Sequence, residues 1–242
     1  MLGVILAGGL GTRLMPLTLI INKHLLPVYD RPMIFYPIQT LVKAGIKDIV
    51  VVTGGPHAGN FIHVLRDGKD LGIEHLYYAY QAQEGGIAQA LSCAEPYCRG
   101  KKVAVILGDN CTDAEIAQDV QEFTEGARIF LKKVPDPERF GVPAFDGEGR
   151  ITKIIEKPAS PPSDFAVTGL YLYDETVFDR IKDLKPSARG EFEVTDLNNS
   201  YLRDGNLEWV ELQGFWKDAG TFETLFEVGA YWRSIKVGKE RE

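Results

Sequence analysis

The sequence predicts an α/β fold with a mostly parallel sheet and antiparallel additions. In the first 110 residues, short runs of large apolar residues alternate with segments of helical periodicity. That alternation is typical of parallel strands joined by right-handed helical crossovers. Beyond residue 126, strand-like segments follow one another directly, and Asp146-Gly147-Glu148-Gly149 indicates a hairpin between two of them. We therefore expect one α/β unit with antiparallel strands added in its second half.

The elements can be placed in order along the chain. In the first half, the patterns predict strands at 2–6, 48–53, 73–80 and 102–107, and helices around 32–44, 57–66 and 86–94. Gly45 is expected to end the first of these helices, and Gly68 lies near the end of the second. In the second half, strands are predicted at 127–134, 142–146, 150–156, 165–173 and 207–212, and helices at 175–184, 194–203 and from 221 onward.

Composition excludes several classes of protein. A chain of 242 residues with 45% hydrophobic and 25% charged residues is typical of a soluble globular protein. The net charge of −7 argues against a nucleic-acid or anionic-membrane partner. Three cysteines without C-x-x-C spacing predict neither a disulfide framework nor a zinc site, and they favour a cytoplasmic location. No apolar stretch is long enough to cross a membrane.

The turn after the first strand is rich in glycine. Gly8, Gly9 and Gly11 follow an apolar run that is typical of a buried strand, and Arg13 comes next. Glycines let backbone N–H groups approach a phosphate closely, and arginine supplies a permanently charged fork. Neither the dinucleotide G-x-G-x-x-G pattern nor the Walker pattern fits. The segment is a candidate phosphate loop, and the alternative is an ordinary strand-to-helix turn with an exposed arginine.

Two aspartates are candidate metal ligands. Asp109 follows the apolar run 103–107, where ligands of an open parallel sheet bind, and Asp218 lies just ahead of the last predicted helix. Carboxylates are the ligands that Mg²⁺ prefers, so the two would complete a metal site if they faced each other. The alternatives are an Asx turn for Asp109 and a turn or N-cap for Asp218.

Other polar residues admit two interpretations each. Lys23 interrupts an apolar segment and is either an exposed loop residue or a phosphate contact. Glu156 and Lys157 end a strand and are either solvated or bind a polar ligand such as a sugar. Gln81, near Gly86, could pair with the edge of a base, although the pattern alone is weak.

A series of motifs then runs nearly from end to end of the chain. The motifs are Leu6-Ala7-Gly8-Gly9-Leu10-Gly11-Thr12-Arg13-Leu14, Pro16-Leu17-Thr18, Lys23-His24-Leu25-Leu26-Pro27-Val28, Gly86-Ile87-Ala88-Gln89-Ala90, Leu107-Gly108-Asp109-Asn110, Asp136-Pro137-Glu138-Arg139-Phe140-Gly141-Val142, Glu156-Lys157-Pro158, Ala166-Val167-Thr168-Gly169-Leu170-Tyr171, Leu184-Lys185-Pro186-Ser187-Ala188-Arg189-Gly190-Glu191 and Asp218-Ala219-Gly220-Thr221. In content and order they resemble the sugar-1-phosphate nucleotidyltransferases, and more narrowly the thymidylyltransferase branch of that family.

The resemblance implies a doubly wound nucleotide-binding fold and a reaction of dTTP with glucose 1-phosphate, with Mg²⁺, that gives dTDP-glucose and pyrophosphate. It implies catalytic roles for Arg13 and Lys23 and metal ligation by Asp109 and Asp218. The nucleotide-binding residues implied are Leu6, Ala7, Gly8, Gly9, Gly11, Thr12, Arg13, Gln81, Gly86 and Asp109. The sugar-phosphate-binding residues implied are Asn110, Gly141, Glu156, Lys157, Val167 and Tyr171. Residues 1–242 would form one domain, with 1–110 mainly on the nucleotide side and 127–235 mainly on the sugar side.

Two other functions stay open at this point. A sister enzyme that uses UTP or another sugar phosphate is close, since thymine and uracil differ by one methyl group, worth about 1–3 kcal/mol in a pocket. A non-catalytic sensor of nucleotide sugars is the alternative from another class.

Many family members carry further helices for subunit contacts and a regulatory nucleotide site. The chain is therefore expected to be a short form, homo-oligomerisation is one expectation, and feedback through such a site is an open question.

Overall fold

The computed structural model describes residues 1–239, and thirteen strands lie within them. Seven form a central sheet and the others form three short pairs. The strands are β1 (Leu2–Ala7), β2 (Pro27–Val28), β3 (Arg31–Pro32), β4 (Asp48–Gly54), β5 (His75–Gln81), β6 (Val103–Leu107), β7 (Asn110–Thr112), β8 (Ala127–Lys133), β9 (Gly141–Phe145), β10 (Ile151–Glu156), β11 (Phe165–Tyr173), β12 (Leu207–Glu211) and β13 (Trp216–Asp218).

The central sheet is mostly parallel, as predicted. Its strand order is β12-β8-β11-β6-β1-β4-β5. Only β11 pairs antiparallel with its neighbours β6 and β8, so the other six strands run in one direction. The carboxyl ends of β1, β5 and β6 therefore lie at one edge, which is where an open α/β sheet binds ligands.

Helices cover both faces of the sheet. They are α1 (Phe35–Lys43), α2 (Ala58–Leu65), α3 (Ile87–Ser92), α4 (Glu95–Cys98), α5 (Ala117–Glu122), α6 (Val177–Lys182), α7 (Val194–Arg203) and α8 (Phe222–Lys239). Side chains of α1 and α2 share one buried cluster, and those of α3, α6 and α7 share the cluster on the opposite face. The doubly wound arrangement is confirmed. Within residues 1–239, no helix combines the length and apolarity that a bilayer crossing requires.

The antiparallel additions are also confirmed. The hairpin β9–β10 pairs Gly141 with Glu156, and β7 pairs antiparallel with β13. The sequence patterns missed β2, β3, β7 and β13, because strands of two or three residues show no periodicity. Most of the predicted helices are shorter in the structure, and the third predicted strand begins at His75 rather than at residue 73.

Helix α8 supports the short pair β7–β13 from outside. Tyr231 of α8 donates a hydrogen bond to Asp113 Oδ2, and its ring stacks on Phe215 at 3.8 Å between centroids. Asp113 Oδ1 accepts a hydrogen bond from the Phe215 backbone N–H at 2.7 Å. One carboxylate thus joins the residue that follows β7, the residue that precedes β13, and α8.

Replacing Tyr231 with Phe should lower the free energy of unfolding by about 1–2 kcal/mol, because the hydrogen bond to the charged Asp113 is lost while the ring stays. Urea denaturation measures the change. Tyr97→Phe is the matched control, since its hydroxyl makes only an exposed hydrogen bond to the Tyr78 carbonyl. If the two substitutions cost the same, α8 is not held through Asp113.

Candidate active site

Two cavities lie side by side at the carboxyl edge of the sheet. The loop cavity, of about 320 Å³, is bounded by the glycine-rich turn and the start of α3. The hairpin cavity, of about 190 Å³, is bounded by β9, β10 and β13. Arg13, Ile87, Leu107 and Asp109 line both cavities. Ligands bound in the two cavities would therefore meet at Asp109 and Arg13.

The glycine-rich turn follows β1 and closes against β5. A Cβ atom at Gly8 would overlap the amide oxygen of Gln81, so any other residue there would displace that amide. Gly11 has φ 68°, the left-handed region that glycine adopts at no steric cost, and it caps the short helix Thr12–Leu14. The backbone N–H of Leu10 donates to Glu84 Oε1 at 2.7 Å. The turn is therefore held at the mouth of the loop cavity.

Gln81 ends β5 and faces the loop cavity with a fixed amide. Its side chain is buried, and Nε2 donates to Gln89 Oε1 at 2.6 Å. Gly86 precedes α3 with φ 95°, and a Cβ there would lie 2.6 Å from the Phe192 carbonyl oxygen. Glycine is therefore needed where the start of α3 packs against the backbone of Phe192, and the ordered Gln81 amide nearby is suited to pairing with a base edge.

Lys23 is the first residue of a short helix, Lys23–Leu25, whose N-cap is Asn22. Asn22 Oδ1 accepts the His24 backbone N–H at 3.0 Å, which is an N-cap. Lys23 Nζ then reaches Asp109 Oδ2 at 2.6 Å. Burial lowers the pKa of His24 to about 3, and the charge of Lys23 acts in the same direction, so His24 is neutral beside this pair. Lys23 is not an exposed loop residue.

Asp109 and Asp218 are brought together by backbone pairing. In the register of β7 with β13, Asn110 is opposite Asp218, and the Ala219 N–H donates to the Asp109 carbonyl at 2.8 Å. Asp218 is thus the last residue of a strand and not the N-cap of α8, and the reason is this pairing with a residue over one hundred positions earlier.

The two carboxylates differ in their electrostatic environment. Burial raises the pKa of Asp218 to about 6, and the negative charge of Asp109 raises it further, while Arg139, Arg13 and Lys23 oppose the shift. Burial acts on Asp109 in the same sense, but the charge of Lys23 and the hydrogen bonds from Lys23 and Asn110 hold the pKa of Asp109 well below its usual range. Asp109 is therefore a fixed anion, and Asp218 is a carboxylate that lacks sufficient positive charge.

Two arginines approach Asp218 from different sides. Arg139 Nη2 lies 3.4 Å from Asp218 Oδ2, and its Nη1 binds Asp136 Oδ2 at 2.7 Å. A Cβ at Gly220 would lie 3.0 Å from Arg13 Nη2 and 3.1 Å from Asp218 Oδ2, which puts Arg13 beside the same carboxylate. With Lys23, three cations surround two carboxylates at the junction of the cavities.

The donor set fits a hard cation such as Mg²⁺. Among residues 1–239, no group of three or more His, Cys, Asp or Glu side chains could hold a metal by itself. Mg²⁺ is usually bound by one or two carboxylates together with substrate phosphates, and it keeps several waters. Two adjacent carboxylates, one of them with an elevated pKa, match that pattern once a substrate supplies the remaining oxygens.

The hairpin cavity presents polar groups suited to a sugar. Glu156 Oε2 accepts a hydrogen bond from Thr195 Oγ1 at 2.5 Å, which fixes the carboxylate at the end of β10. Lys157 follows with φ 44°, a conformation that non-glycine residues seldom adopt. Burial raises the pKa of Tyr171 beyond its normal range, so its hydroxyl keeps its proton.

Most residues expected at the site line one or both cavities. These are Leu6, Gly8, Gly9, Arg13, Lys23, Gln81, Gly86 and Asp109 at the loop cavity, and Arg13, Asp109, Asn110, Gly141, Glu156, Lys157, Val167, Tyr171 and Asp218 at the hairpin cavity. Ala7, at the end of β1, and Gly11 and Thr12, in the turn, are absent from both linings. Whether each residue binds its expected ligand stays a prediction.

Several lining residues were missed by the sequence reasoning. His24 and Glu84 line the loop cavity, Arg139, Thr195 and Trp216 line the hairpin cavity, and Ile87 lines both. His24 and Arg139 lie within motifs quoted for the resemblance, close to the predicted site residues Lys23 and Gly141. That proximity in sequence could have identified them. Thr195 reaches the site only because α7 packs against β10, and no local pattern reports that contact.

Comparison with known proteins gives a consistent result. Residues 2–234 match the family described as nucleotidyl transferase. Glucose-1-phosphate thymidylyltransferases of Neisseria meningitidis serogroup A and Mycolicibacterium smegmatis are 45% and 43% identical, each over 242 residues, with 98% of this chain and 84% of the relative covered. A Bacillus anthracis structure described as a glucose-1-phosphate thymidylyltransferase in complex with sucrose is 47% identical, with TM-score 0.90 over 95% of this chain and 94% of that one. A UDP-glucose pyrophosphorylase solved with UDP-glucose shares the fold at 24% identity, with TM-score 0.84 over 97% of this chain and 100% of that one.

Replacing Gly8 with Ala should weaken binding of a nucleoside triphosphate at least tenfold, because the new Cβ must displace the Gln81 amide from its position. Isothermal titration calorimetry measures the dissociation constant. Gly59→Ala on α2 is the matched control, since Gly59 lines neither cavity and a Cβ there meets nothing within 4 Å. A Gly8→Ala protein that binds as tightly as Gly59→Ala would contradict the role given to this turn.

Proposed function

The chain belongs to the nucleotidyltransferase family, and we propose that it transfers a thymidylyl group from dTTP to glucose 1-phosphate, giving dTDP-glucose and pyrophosphate. The observation that carries this proposal is the junction of the two cavities at Asp109 and Arg13. A nucleotide in one cavity and a sugar phosphate in the other would bring their phosphates together there. The names of relatives with 43–45% identity supply the two substrates.

The loop cavity is the proposed nucleotide site. Backbone N–H groups of the glycine-rich turn would bind the triphosphate, with Arg13 and Lys23 as the counter-charges. The Gln81 amide and the Gly86 backbone would pair with the edge of thymine. This assignment is supported by the fixed orientation of Gln81, which leaves its amide oxygen over Gly8. A loose amide would discriminate poorly between bases.

The hairpin cavity is the proposed sugar-phosphate site. Glu156, held by Thr195, would accept hydrogen bonds from sugar hydroxyls, and Tyr171 would donate one. The Gly141 backbone and Val167 would shape the wall, and the ammonium of Lys157 would approach the phosphate. The proposed division into a nucleotide part (1–110) and a sugar part (127–235) is crossed in both directions, because Arg13, Asp109 and Asn110 also line the hairpin cavity and Glu191 lines the loop cavity.

The chemistry requires no covalent bond to the protein. A phosphate oxygen of glucose 1-phosphate attacks the α-phosphorus of dTTP in line, a new P–O bond forms, and the bond to the β-phosphate bridging oxygen breaks. Pyrophosphate leaves with the electron pair of the broken bond. Arg13 and Lys23 hold the phosphates against their mutual repulsion, which is strong in a partly desolvated cleft.

Asp109 and Asp218 are the residues that would hold Mg²⁺. When bound, the ion neutralises charge that builds up on the phosphates as pyrophosphate departs. The protein's part is to keep the two carboxylates adjacent, and Lys23 keeps Asp109 ionised through the 2.6 Å ion pair.

A cytoplasmic location also stays a prediction, supported by the free thiols of Cys93, Cys98 and Cys111.

Pyrophosphate release across a panel of nucleoside triphosphates and sugar 1-phosphates, with Mg²⁺, tests the proposal. We expect the highest kcat/KM for dTTP with glucose 1-phosphate. Fastest turnover with UTP would replace the thymidylyl assignment by a uridylyl one. Binding of nucleotide sugars without turnover of any pair would indicate the sensor instead.

The two aspartates should respond differently to neutralisation. Asp218→Asn should lower kcat by roughly 1,000-fold, since a metal ligand worth several kcal/mol is lost, but should leave the melting temperature equal or higher because a disfavoured buried charge is removed. Asp109→Asn should lower kcat similarly and also destabilise the fold by about 1–3 kcal/mol, because Lys23 loses its partner.

Kinetics and thermal unfolding of the same samples measure both effects. The exposed Asp70→Asn serves as the control, with neither effect expected. Near-normal kcat in either site variant would contradict the metal-site assignment.

A further inference from the structure

The side chain of Asn110 makes three hydrogen bonds within the protein. It is buried, at 2% exposure, between Asp109 and Cys111. Its Oδ1 accepts two hydrogen bonds, from the Gly169 backbone N–H at 2.9 Å and from the Trp216 indole N–H at 2.7 Å. Its Nδ2 donates to Asp109 Oδ1 at 3.1 Å. A single side chain therefore joins β7, β11 and β13 to the carboxylate of Asp109.

The orientation of this amide is determined by its partners. Gly169 N–H and Trp216 Nε1–H are both donors with no acceptor capacity, so the atom between them must be the amide oxygen. The amide nitrogen is thereby forced to face Asp109. A flipped amide would place N–H groups against two N–H groups and would leave the Asp109 oxygen without its donor. The Trp216 indole is thus part of what aims the amide at the carboxylate.

Asp109 is consequently held at both oxygens by different parts of the fold. Lys23 binds Oδ2 at 2.6 Å and Asn110 binds Oδ1 at 3.1 Å. Each oxygen retains lone pairs for another ligand. Lys23 approaches from the loop cavity, whereas Trp216 belongs to the wall of the hairpin cavity. The Asp109 carboxylate is therefore positioned by residues on the walls of both cavities.

Trp216 also forms part of the wall on the sugar side. Its ring packs edge-on against Phe140 at 5.6 Å between centroids, next to Arg139, which binds Asp218. It lies two residues before Asp218 on β13. One indole ring thus connects the surface of the hairpin cavity with both carboxylates, through a hydrogen bond to Asn110 on one side and through the strand backbone on the other.

We propose that Trp216 and Asn110 are positioning residues that orient the Asp109 carboxylate for the metal–nucleotide complex, through the chain of hydrogen bonds Trp216 to Asn110 to Asp109. The proposal rests on the proposed function, since it assigns a task to residues around its metal site. Residues that orient a metal ligand typically change metal affinity or activity by 10–100-fold when they are altered. Trp216 acts two hydrogen bonds away, so the lower end of that range applies.

The test is the gain in dTTP affinity that Mg²⁺ provides, measured by calorimetry with Mg²⁺ and with EDTA in the absence of sugar phosphate. Without sugar phosphate, contacts between Trp216 and a sugar cannot contribute to the result. Trp216→Phe keeps an aromatic ring and removes the N–H donor. We expect the Mg²⁺-dependent gain to fall about tenfold and kcat to fall by a similar factor, while dTTP binding in EDTA stays within about twofold of wild type.

Trp209→Phe, on the remote strand β12, is the control for the loss of a tryptophan elsewhere. It should change neither the Mg²⁺-dependent gain in dTTP affinity nor kcat. Thermal unfolding of each variant tests whether its fold is intact.

Asn110→Ala completes a double-mutant cycle with Trp216→Phe. Because the two residues act through one path, the double variant should lose no more of the Mg²⁺-dependent gain than Asn110→Ala alone. If Asn110→Ala does not fold, Trp216→Phe decides the question by itself. A Trp216→Phe protein with the wild-type gain, or additive losses in the cycle, would overturn the proposal.

Failure of this proposal is distinguishable from failure of the proposed function. A wild-type protein that shows neither a Mg²⁺-dependent gain in dTTP affinity nor pyrophosphate release contradicts the function itself. A wild-type protein that shows both, together with a Trp216→Phe variant that matches it, contradicts only the positioning role of Trp216 and Asn110.

Discussion

The structure depends on keeping two carboxylates side by side in a largely buried cleft. Asp109 and Asp218 repel each other there, and burial adds to the cost, as the elevated pKa of Asp218 shows. Arg13, Lys23 and Arg139 offset that cost in part, with Lys23 2.6 Å from Asp109 and Arg139 3.4 Å from Asp218. The remaining deficit of positive charge at Asp218 would favour a divalent cation at this place, as proposed above, and the phosphates of the substrates would add further negative charge for it to neutralise. The electrostatic imbalance between the two carboxylates is therefore part of how the site would bind its ligands.

The carboxylates stay adjacent because short pieces of backbone pair over a long sequence distance. Strands β7 and β13 are three residues each, too short to be stable alone, and they are held from outside by α8 through Tyr231 and Asp113. From inside, the Asn110 amide joins the same pair to β11. Rigid positioning of charged groups is what phosphoryl-type chemistry requires of a protein, because the reaction itself needs little covalent participation.

Much of this could be predicted from the sequence, for identifiable reasons. Long apolar runs such as that of β1 report buried parallel strands, and the glycine-rich turn reports close approach, since both signals are local. Asp218 shows where local reasoning stops. Its position ahead of a helix suggested a cap, but pairing with Asn110 places it in a strand. Trp216, Thr195 and Arg139 were missed for the same reason, because each reaches the site through packing between distant segments. The resemblance to a known family located both aspartates without showing how the backbone joins them.

We propose that two substrates in adjoining cavities react directly, with no covalent intermediate on the protein. The stereochemical course at the α-phosphorus distinguishes this reaction from one that passes through a protein-bound intermediate. Turnover of dTTP made chiral at that phosphorus by sulfur substitution, followed by configurational analysis of the dTDP-glucose product, gives the answer. A single in-line displacement at the junction of the cavities predicts inversion of configuration. Net retention would mean two successive displacements and a protein-bound intermediate, and it would contradict the account.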